Sequence, residues 1–458
     1  MQRHKTVFIC QQCGNESPKW LGRCPNCREW NTYVEMEIKP PTTTNRVPPS
    51  STTQPIELSR VTVEDVTRLA LPLTEFNRLL GGGIVPGSLI LIGGEPGVGK
   101  STLLLQLAAL IAEREGRALY VSGEESVQQL RLRADRLGLQ GKGLYLMAET
   151  ELDGILARME ELSPKLAVID SIQTIYLDEL GSEPGSIGQV RQCTLRLMRW
   201  AKSANIPIFI VGHLTKEGDI AGPRLLEHIV DVVLYMEGER FSTYRIIRSA
   251  KNRFGPTHEV GVFEMRDVGL IEVTNPSKAF LAERQESAIG SAIVPTLEGT
   301  RPLLVEIQAL TTTTSFGLPR RTTNGVDFNR LLLITAVLSK RVGLALSNQD
   351  VIVNVVGGLK VAEPAADLGI ALAIASSLRD KRVNPNMVAI GEIGLSGELR
   401  GVTQLERRLA EAAKLGFNSC LLPHSSKQQR SSNQDTDNLG IQLVGARSLT
   451  EAIAVALA

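Results

Sequence analysis

Leu89-Ile90-Leu91-Ile92-Gly93-Gly94-Glu95-Pro96-Gly97-Val98-Gly99-Lys100-Ser101 is an apolar run that breaks into glycines and ends on a lysine–serine pair. From Gly94 to Ser101 it matches G-x-x-x-x-G-K-[ST] in full, between a strand-like run at 88–92 and a helical pattern over 102–114. Glycines let backbone N–H groups close around phosphates at the N-terminus of the following helix, where the dipole favours anions. The pattern predicts an ATP loop in which Lys100 meets the β- and γ-phosphates and the Ser101 hydroxyl holds Mg²⁺. Outward from it, further strand-like runs at 118–121, 166–169, 206–211 and 230–236 alternate with helical patterns. That alternation predicts an α/β core with a mostly parallel sheet.

Two of these strands end in acids. Leu166-Ala167-Val168-Ile169-Asp170 places Asp170 to hold the metal as a Walker-B carboxylate. Tyr120-Val121-Ser122-Gly123-Glu124-Glu125-Ser126 ends in paired carboxylates, one of which can polarise an attacking water; Glu124, nearer the strand end, is preferred over Glu125. An N-cap or a solvated loop is the plainer alternative for either acid. Lys251-Asn252-Arg253-Phe254-Gly255 follows a strand expected at 243–248. Its lysine and arginine have the character of a finger that completes a neighbouring subunit's phosphate site, with ordinary surface basics as the alternative.

Of six cysteines, four form Cys10-x2-Cys13 and Cys24-x2-Cys27, while Cys193 and Cys420 stand alone. Two such pairs supply four thiolates to a tetrahedral Zn²⁺, a better fit to the spacing than a redox dithiol or a disulfide framework. Residues 1–36 are too few to bury a core, so the metal would provide their fold. Lys5, Lys19, Arg23 and Arg28 there suit phosphates and Trp20 or Trp30 suit stacking, although small ribbons also mediate protein contacts. Residues 37–56, rich in Pro and Thr, read as an extended linker. Residues 57–275 then hold the nucleotide-binding domain. Residues 286–458, with an apolar run at 351–356 and an Ala-rich helix at 368–378, read as a separate α+β domain.

The chain has 458 residues, 43% of them hydrophobic and 22% charged, with a net charge of +1. Bulk electrostatics therefore do not announce a polyanionic partner, and any such site would be a local patch. The N-terminus lacks the apolar stretch of a signal peptide, and no run approaches the roughly 18 residues needed to span a membrane. With the cysteine usage, this leads to the expectation of a cytoplasmic protein without membrane contact.

Taken in order, the four-cysteine motif, the P-loop, the Lys-Asn-Arg-Phe-Gly pentapeptide and the C-terminal segment resemble the bacterial RadA (Sms) DNA-repair family along the whole chain. The resemblance implies a RecA-like P-loop ATPase core with an N-terminal zinc ribbon and a C-terminal Lon-protease-like α+β domain. It implies ATP, Mg²⁺ and Zn²⁺ as cofactors, a homohexameric ring, and a DNA-dependent ATPase that promotes branch migration during homologous recombination. Its implied partners are single-stranded and branched DNA and a RecA recombinase. Residues 94–101 correspond to the family's P-loop, Cys10, Cys13, Cys24 and Cys27 to its zinc ligands, and residues 251–255 to its signature motif. That motif is similar to the Lys-x-Arg-x-Gly of replicative ring helicases, whose basic pair acts across a subunit interface. The loops that face DNA in RecA-like cores fall at 178–189 and 215–224, and His213 falls where the γ-phosphate is sensed, a hydrogen-bonded strand-end residue being its plain alternative.

The Lon resemblance has departures. Lon's serine turn here reads Glu363-Pro364-Ala365-Ala366-Asp367-Leu368-Gly369, and Glu406 stands where its lysine should be. Without nucleophile and base, serine–lysine catalysis cannot run, which leaves assembly or DNA contact as the domain's role. Arg320, Arg321, Arg330, Lys340 and Arg341 would form a basic patch or simply a solvated face. Two other classes compete. A Lon-type protein-processing machine is disfavoured by the missing dyad, and a RecA-fold regulatory ATPase without a DNA partner by the ribbon and the fused domain.

Overall fold

The computed structural model describes residues 5–10, 16–25, 28–38, 57, 67–213, 226–238, 242–257, 259–315, 317–431 and 439–457. They form two compact units, Met1–Glu237 with Arg245–Glu272, and Gly238–Tyr244 with Val273–Ala458. Within the first, β1 (Lys5–Cys10), β2 (Glu16–Ser17) and β3 (Tyr33–Ile38) make a small antiparallel sheet in the order β2-β1-β3. Its core is minimal: Cys10, Cys24 and Tyr33 are buried, with Phe8 and Leu21 against them.

The larger sheet of this unit is built from β4 (Leu89–Gly94), β5 (Ala118–Ser122), β6 (Leu144–Ala148), β7 (Leu166–Asp170), β8 (Ile208–His213) and β9 (Val232–Glu237). These six run parallel in the order β9-β4-β8-β7-β5-β6. β10 (Tyr244–Asn252) continues the sheet antiparallel to β9, followed by β11 (Val260–Arg266) and β12 (Gly269–Glu272). Alternating side chains explain why the central strands are apolar throughout. Ile90, Ile92, Val168 and Phe209 share one core with α1 (Thr74–Leu80) and α2 (Lys100–Glu115). Leu89, Leu91, Ile169 and Ile210 share another, on the opposite face, with α4 (Leu152–Leu162) and α5 (Ile187–Ala204). A parallel sheet covered on both faces has no solvent face to mark with polar residues. Between them α3 (Val127–Arg136) opens on a capping box of Ser126 and Gln129.

The second unit begins earlier than its sequence texture indicates. α6 (Pro276–Phe280) already belongs to it, because the Ser277 hydroxyl donates to Glu411 and accepts from the Leu304 N–H. Its sheet includes β13 (Ser291–Glu298), β14 (Arg301–Thr313), β15 (Arg321–Asn324), β16 (Gln349–Val355), β17 (Met387–Ala389), β20 (Ser419–Pro423) and β21 (Gln442–Ala446), in the order β15-β16-β14-β13-β17-β20-β21. A two-stranded hairpin, β18 (Glu392–Ile393) with β19 (Leu399–Arg400), stands apart. α7 (Phe328–Val337), α8 (Asp367–Arg379) and α9 (Leu405–Lys414) complete this part, and the Ala-rich α8 is buried along most of its length.

The turn at 363–369 and the start of α9 are locked by ion pairs. Arg408, 1% exposed, donates to both Glu363 oxygens at 2.6 and 2.7 Å and to the Pro295 carbonyl at 2.7 Å. Buried Asp367 is gripped by Arg330 and accepts from the Ile393 N–H at 3.0 Å. Burial pushes the Asp367 carboxyl up, against the opposing pull of Arg330. Two of the five cations expected in a basic patch are engaged within the fold: Arg330 is committed to Asp367, and Arg321 donates to the carbonyls of Arg320, Gln349 and Leu346. Arg408→Met leaves Glu363 with the Leu297 N–H but without its cationic partner, and breaking a buried pair typically costs about 3–5 kcal/mol. We expect a lowered thermal transition for the full-length variant, with partial recovery when Glu363→Gln is added.

Candidate nucleotide site

Strand parity decides which side chains meet the P-loop. Tyr120 and Val168 are register partners on β5 and β7, as are Ser122 and Asp170. Tyr120 therefore shares the α2 face with Asp170, directly beneath the loop that precedes α2. Gly99 caps that helix at φ 118°, a backbone conformation that favours glycine because a Cβ is strained there.

Lys100 is buried, 3% exposed, and its ammonium donates to the carbonyls of Gly94 at 2.8 Å and Glu95 at 2.9 Å. Burial pulls its pKa down to about 8, while the Asp170 and Glu124 charges act in the opposite sense. The Tyr120 hydroxyl donates to Asp170 Oδ2 at 2.5 Å and reaches the Ser101 carbonyl at 3.4 Å. Burial and Asp170 keep that phenol well above its ordinary range, so it remains a donor. The Ser171 hydroxyl donates to Glu124 at 2.8 Å. Glu125 is instead engaged by Arg133, and the Ser122 hydroxyl accepts from the N–H groups of both glutamates. Arg245, on β10, donates to the Val98 carbonyl in the loop at 3.0 Å.

The structure thus gathers Gly94, Glu95, Pro96, Gly97, Val98, Gly99, Lys100, Ser101, Glu124 and Asp170 at the C-terminal ends of the parallel strands. A buried carboxylate beside a serine at a phosphate loop is an oxygen donor set of the kind Mg²⁺ takes, so the residues fit that ion. Tyr120, Ser171, Arg133 and Arg245 were not legible in the sequence as site residues. Tyr120 was discoverable in principle, since it lies an even number of strand positions from Ser122.

Lys251 and Arg253 lie elsewhere. β10 extends to Asn252, so Lys251 and Asn252 are on the strand, beyond an irregularity between Ser249 and Lys251, and not in a loop after residue 248. Lys251 donates to the carbonyls of Glu227 and Val230 at 2.5 and 2.8 Å. Arg253, about half exposed, donates to Asp231 at 3.2 Å, and Asp231 also accepts from the Leu89 N–H. Asn252 donates to the Leu79 carbonyl and accepts from the Phe254 N–H, while Gly255 closes on Gly81, where a Cβ would lie 2.9 Å from the Gly81 Cα. Leu89 begins β4 and Gly94 ends it, so the basic pair and its own P-loop are separated by roughly 15–20 Å of strand.

Of the expected zinc ligands, Cys10 and Cys24 converge in the ribbon core, with Cys10 Sγ 3.1 Å from Thr32 Oγ1 and the Tyr33 hydroxyl 3.7 Å from Cys24 Sγ. Buried thiols in so small a core fit a soft-metal site. Cys13 and Cys27 lie outside the described residues, as do residues 215–224 and the His213 side chain. The loop at 178–189 is partly tied down: Gln189 is buried in α5 and hydrogen-bonds Leu177 and the Ser182 carbonyl. Among the described residues no helix is long and apolar enough to cross a membrane.

Three family models match successive parts of the chain: a rubredoxin metal binding domain over residues 8–35, an AAA domain over 52–219, and the ChlI subunit of Mg-chelatase over 308–426. DNA repair protein RadA of Bacillus subtilis is 52% identical, covering 100% of both chains. RadA of Listeria monocytogenes is 51% identical over 97% of each. Among solved structures, a KaiC-like protein of Pyrococcus horikoshii is 22% identical with a TM-score of 0.38, covering 45% of this chain and 99% of its own.

Fold and matches define a RecA-like P-loop ATPase, an ATP hydrolase, with an N-terminal zinc ribbon and a Lon-protease-like C-terminal domain. The chain belongs to the family of the bacterial DNA repair protein RadA.

The differing partners of the two glutamates generate a test. Glu124→Gln should retain nucleotide binding and lose about 10²–10⁴-fold in hydrolysis, the range of general-base contributions. Glu125→Gln, held off by Arg133, should lose far less; the reverse ranking in a steady-state ATPase assay reassigns the base.

Proposed function

We propose that the chain is a DNA-stimulated ATPase of DNA repair, acting as a ring on single-stranded and branched DNA and driving branch migration of recombination intermediates. The observation that carries the ring is the placement of Lys251 and Arg253 at the strand ends opposite their own P-loop. A basic pair that cannot reach its own nucleotide, on a partly exposed edge, suits a neighbour's γ-phosphate. On this reading Lys100 neutralises the β- and γ-phosphates, Glu124 accepts a proton from the attacking water, and Asp170 with Ser101 holds Mg²⁺. The bound ion would neutralise charge developing on the phosphates. Cys10, Cys13, Cys24 and Cys27 hold Zn²⁺ in residues 1–36, 37–56 are the linker, 57–272 the motor, and 273–458, which takes in α6, an assembly or DNA-contact domain without peptidase chemistry. The relatives' name, DNA repair protein, supports DNA as the partner. A homohexamer, a RecA recombinase partner and a cytoplasmic setting complete the proposal.

Lys100→Ala should abolish ATP turnover in a folded protein. Arg253→Ala should remove most DNA-stimulated turnover, since a finger contributes roughly 10³–10⁵ in rate in GTPases, with little change in nucleotide affinity. Mixing the two inactive variants should restore part of the activity, because some interfaces then pair an intact P-loop with an intact finger. Mixed rings that exchange subunits yet stay inactive would exclude action in trans.

A further inference from the structure

The zinc ribbon leaves its two largest side chains outside its core. Trp20 and Trp30 are 52% and 67% exposed, although the ribbon buries little besides Cys10, Cys24 and Tyr33. A unit so short of apolar burial would gain from covering an indole, so its exclusion needs a reason. The rings are not scattered. A methyl placed on Gly22 would lie 3.6 Å from the Trp20 ring and 4.0 Å from the Trp30 ring, so both indoles converge over that one residue. The Arg23 guanidinium lies over the Trp30 ring, 5.6 Å from its centroid, and its Nε donates to the Arg28 carbonyl at 2.8 Å. Lys19, Arg23 and Arg28 are exposed beside the rings. The carboxylates of residues 1–38 are Glu16, Glu29, Glu35 and Glu37, and among the described residues no ion pair joins Glu29 or Glu35 to these cations.

We propose that the Trp20–Gly22–Trp30 surface is a stacking platform for unpaired nucleobases, with Lys19, Arg23 and Arg28 meeting the adjoining phosphates. Two converging flat rings and cations with no carboxylate partner among the described residues match the chemistry of a single strand, whose bases present π-faces and whose backbone presents anions at each step. A duplex hides its base faces, so the platform selects single-stranded over double-stranded DNA. The inference rests on the proposed DNA partner and places one contact on it, away from the nucleotide site.

The test uses the full-length, zinc-loaded chain and a dye-labelled single-stranded oligodeoxythymidylate, read by fluorescence anisotropy and by tryptophan emission. Trp200, on α5, is the only other tryptophan. Stacking should quench emission on saturation, and the quench should disappear in Trp20→Phe with Trp30→Phe, which keeps a stacking ring and most of the affinity. Trp20→Ala with Trp30→Ala should bind roughly 5- to 100-fold more weakly, from the usual contribution per stacked base, with zinc content and basal ATP turnover unchanged. Wild-type affinity in the alanine pair, or anisotropy-detected binding without any quench, overturns the platform and leaves these rings to a protein partner. No anisotropy change in the unsubstituted chain would instead remove the DNA reading itself.

Discussion

A parallel sheet buried on both faces confines polar chemistry to the ends of its strands. In this protein β4, β5, β7 and β8 present apolar side chains to α1 and α2 on one side and to α4 and α5 on the other. Charged groups have no place along such strands without a desolvation cost of several kcal/mol each. The acids, the phosphate loop and the basic motif therefore collect at two edges. One edge carries Gly94 to Ser101, Glu124 and Asp170; the other carries Asp231, Lys251 and Arg253.

Within the first edge the charges, buried at Lys100 and Asp170 and more open at Glu124 and Glu125, are held in graded ways. Tyr120 fixes one Asp170 oxygen, Ser171 fixes Glu124, and Arg133 draws Glu125 aside. The two adjacent glutamates are chemically alike in sequence and are distinguished only by these partners. Lys100 rests on loop carbonyls at a pKa pulled down by burial, which leaves it ready to exchange two neutral acceptors for phosphate oxygens.

The C-terminal unit shows the same physics turned to a different end. Where a Lon-type dyad would sit, Asp367 and Glu363 are paired with Arg330 and Arg408. Buried carboxylates matched by guanidinium forks are satisfied groups, and they leave no nucleophile or base at the turn. The turn that corresponds to Lon's serine turn is thus held by satisfied ion pairs.

The sequence by itself determined the P-loop, the order of the central strands' apolar runs, the paired cysteines and the acids ending β7 and β5. Each is a local pattern: a glycine loop, a run buried on two faces, a metal spacing, a strand terminus. Only the tertiary structure decided what lies opposite what. Tyr120 looked like one more apolar strand residue, because its bond to Asp170 depends on the pairing of β5 with β7 across 50 positions of chain. Arg330 looked like a solvated cation, because its carboxylate lies in another helix, 37 residues on. The separation of Arg253 from its own P-loop follows from β10 running antiparallel to β9. Strand direction and register come from long-range hydrogen bonding, which no short stretch of residues encodes.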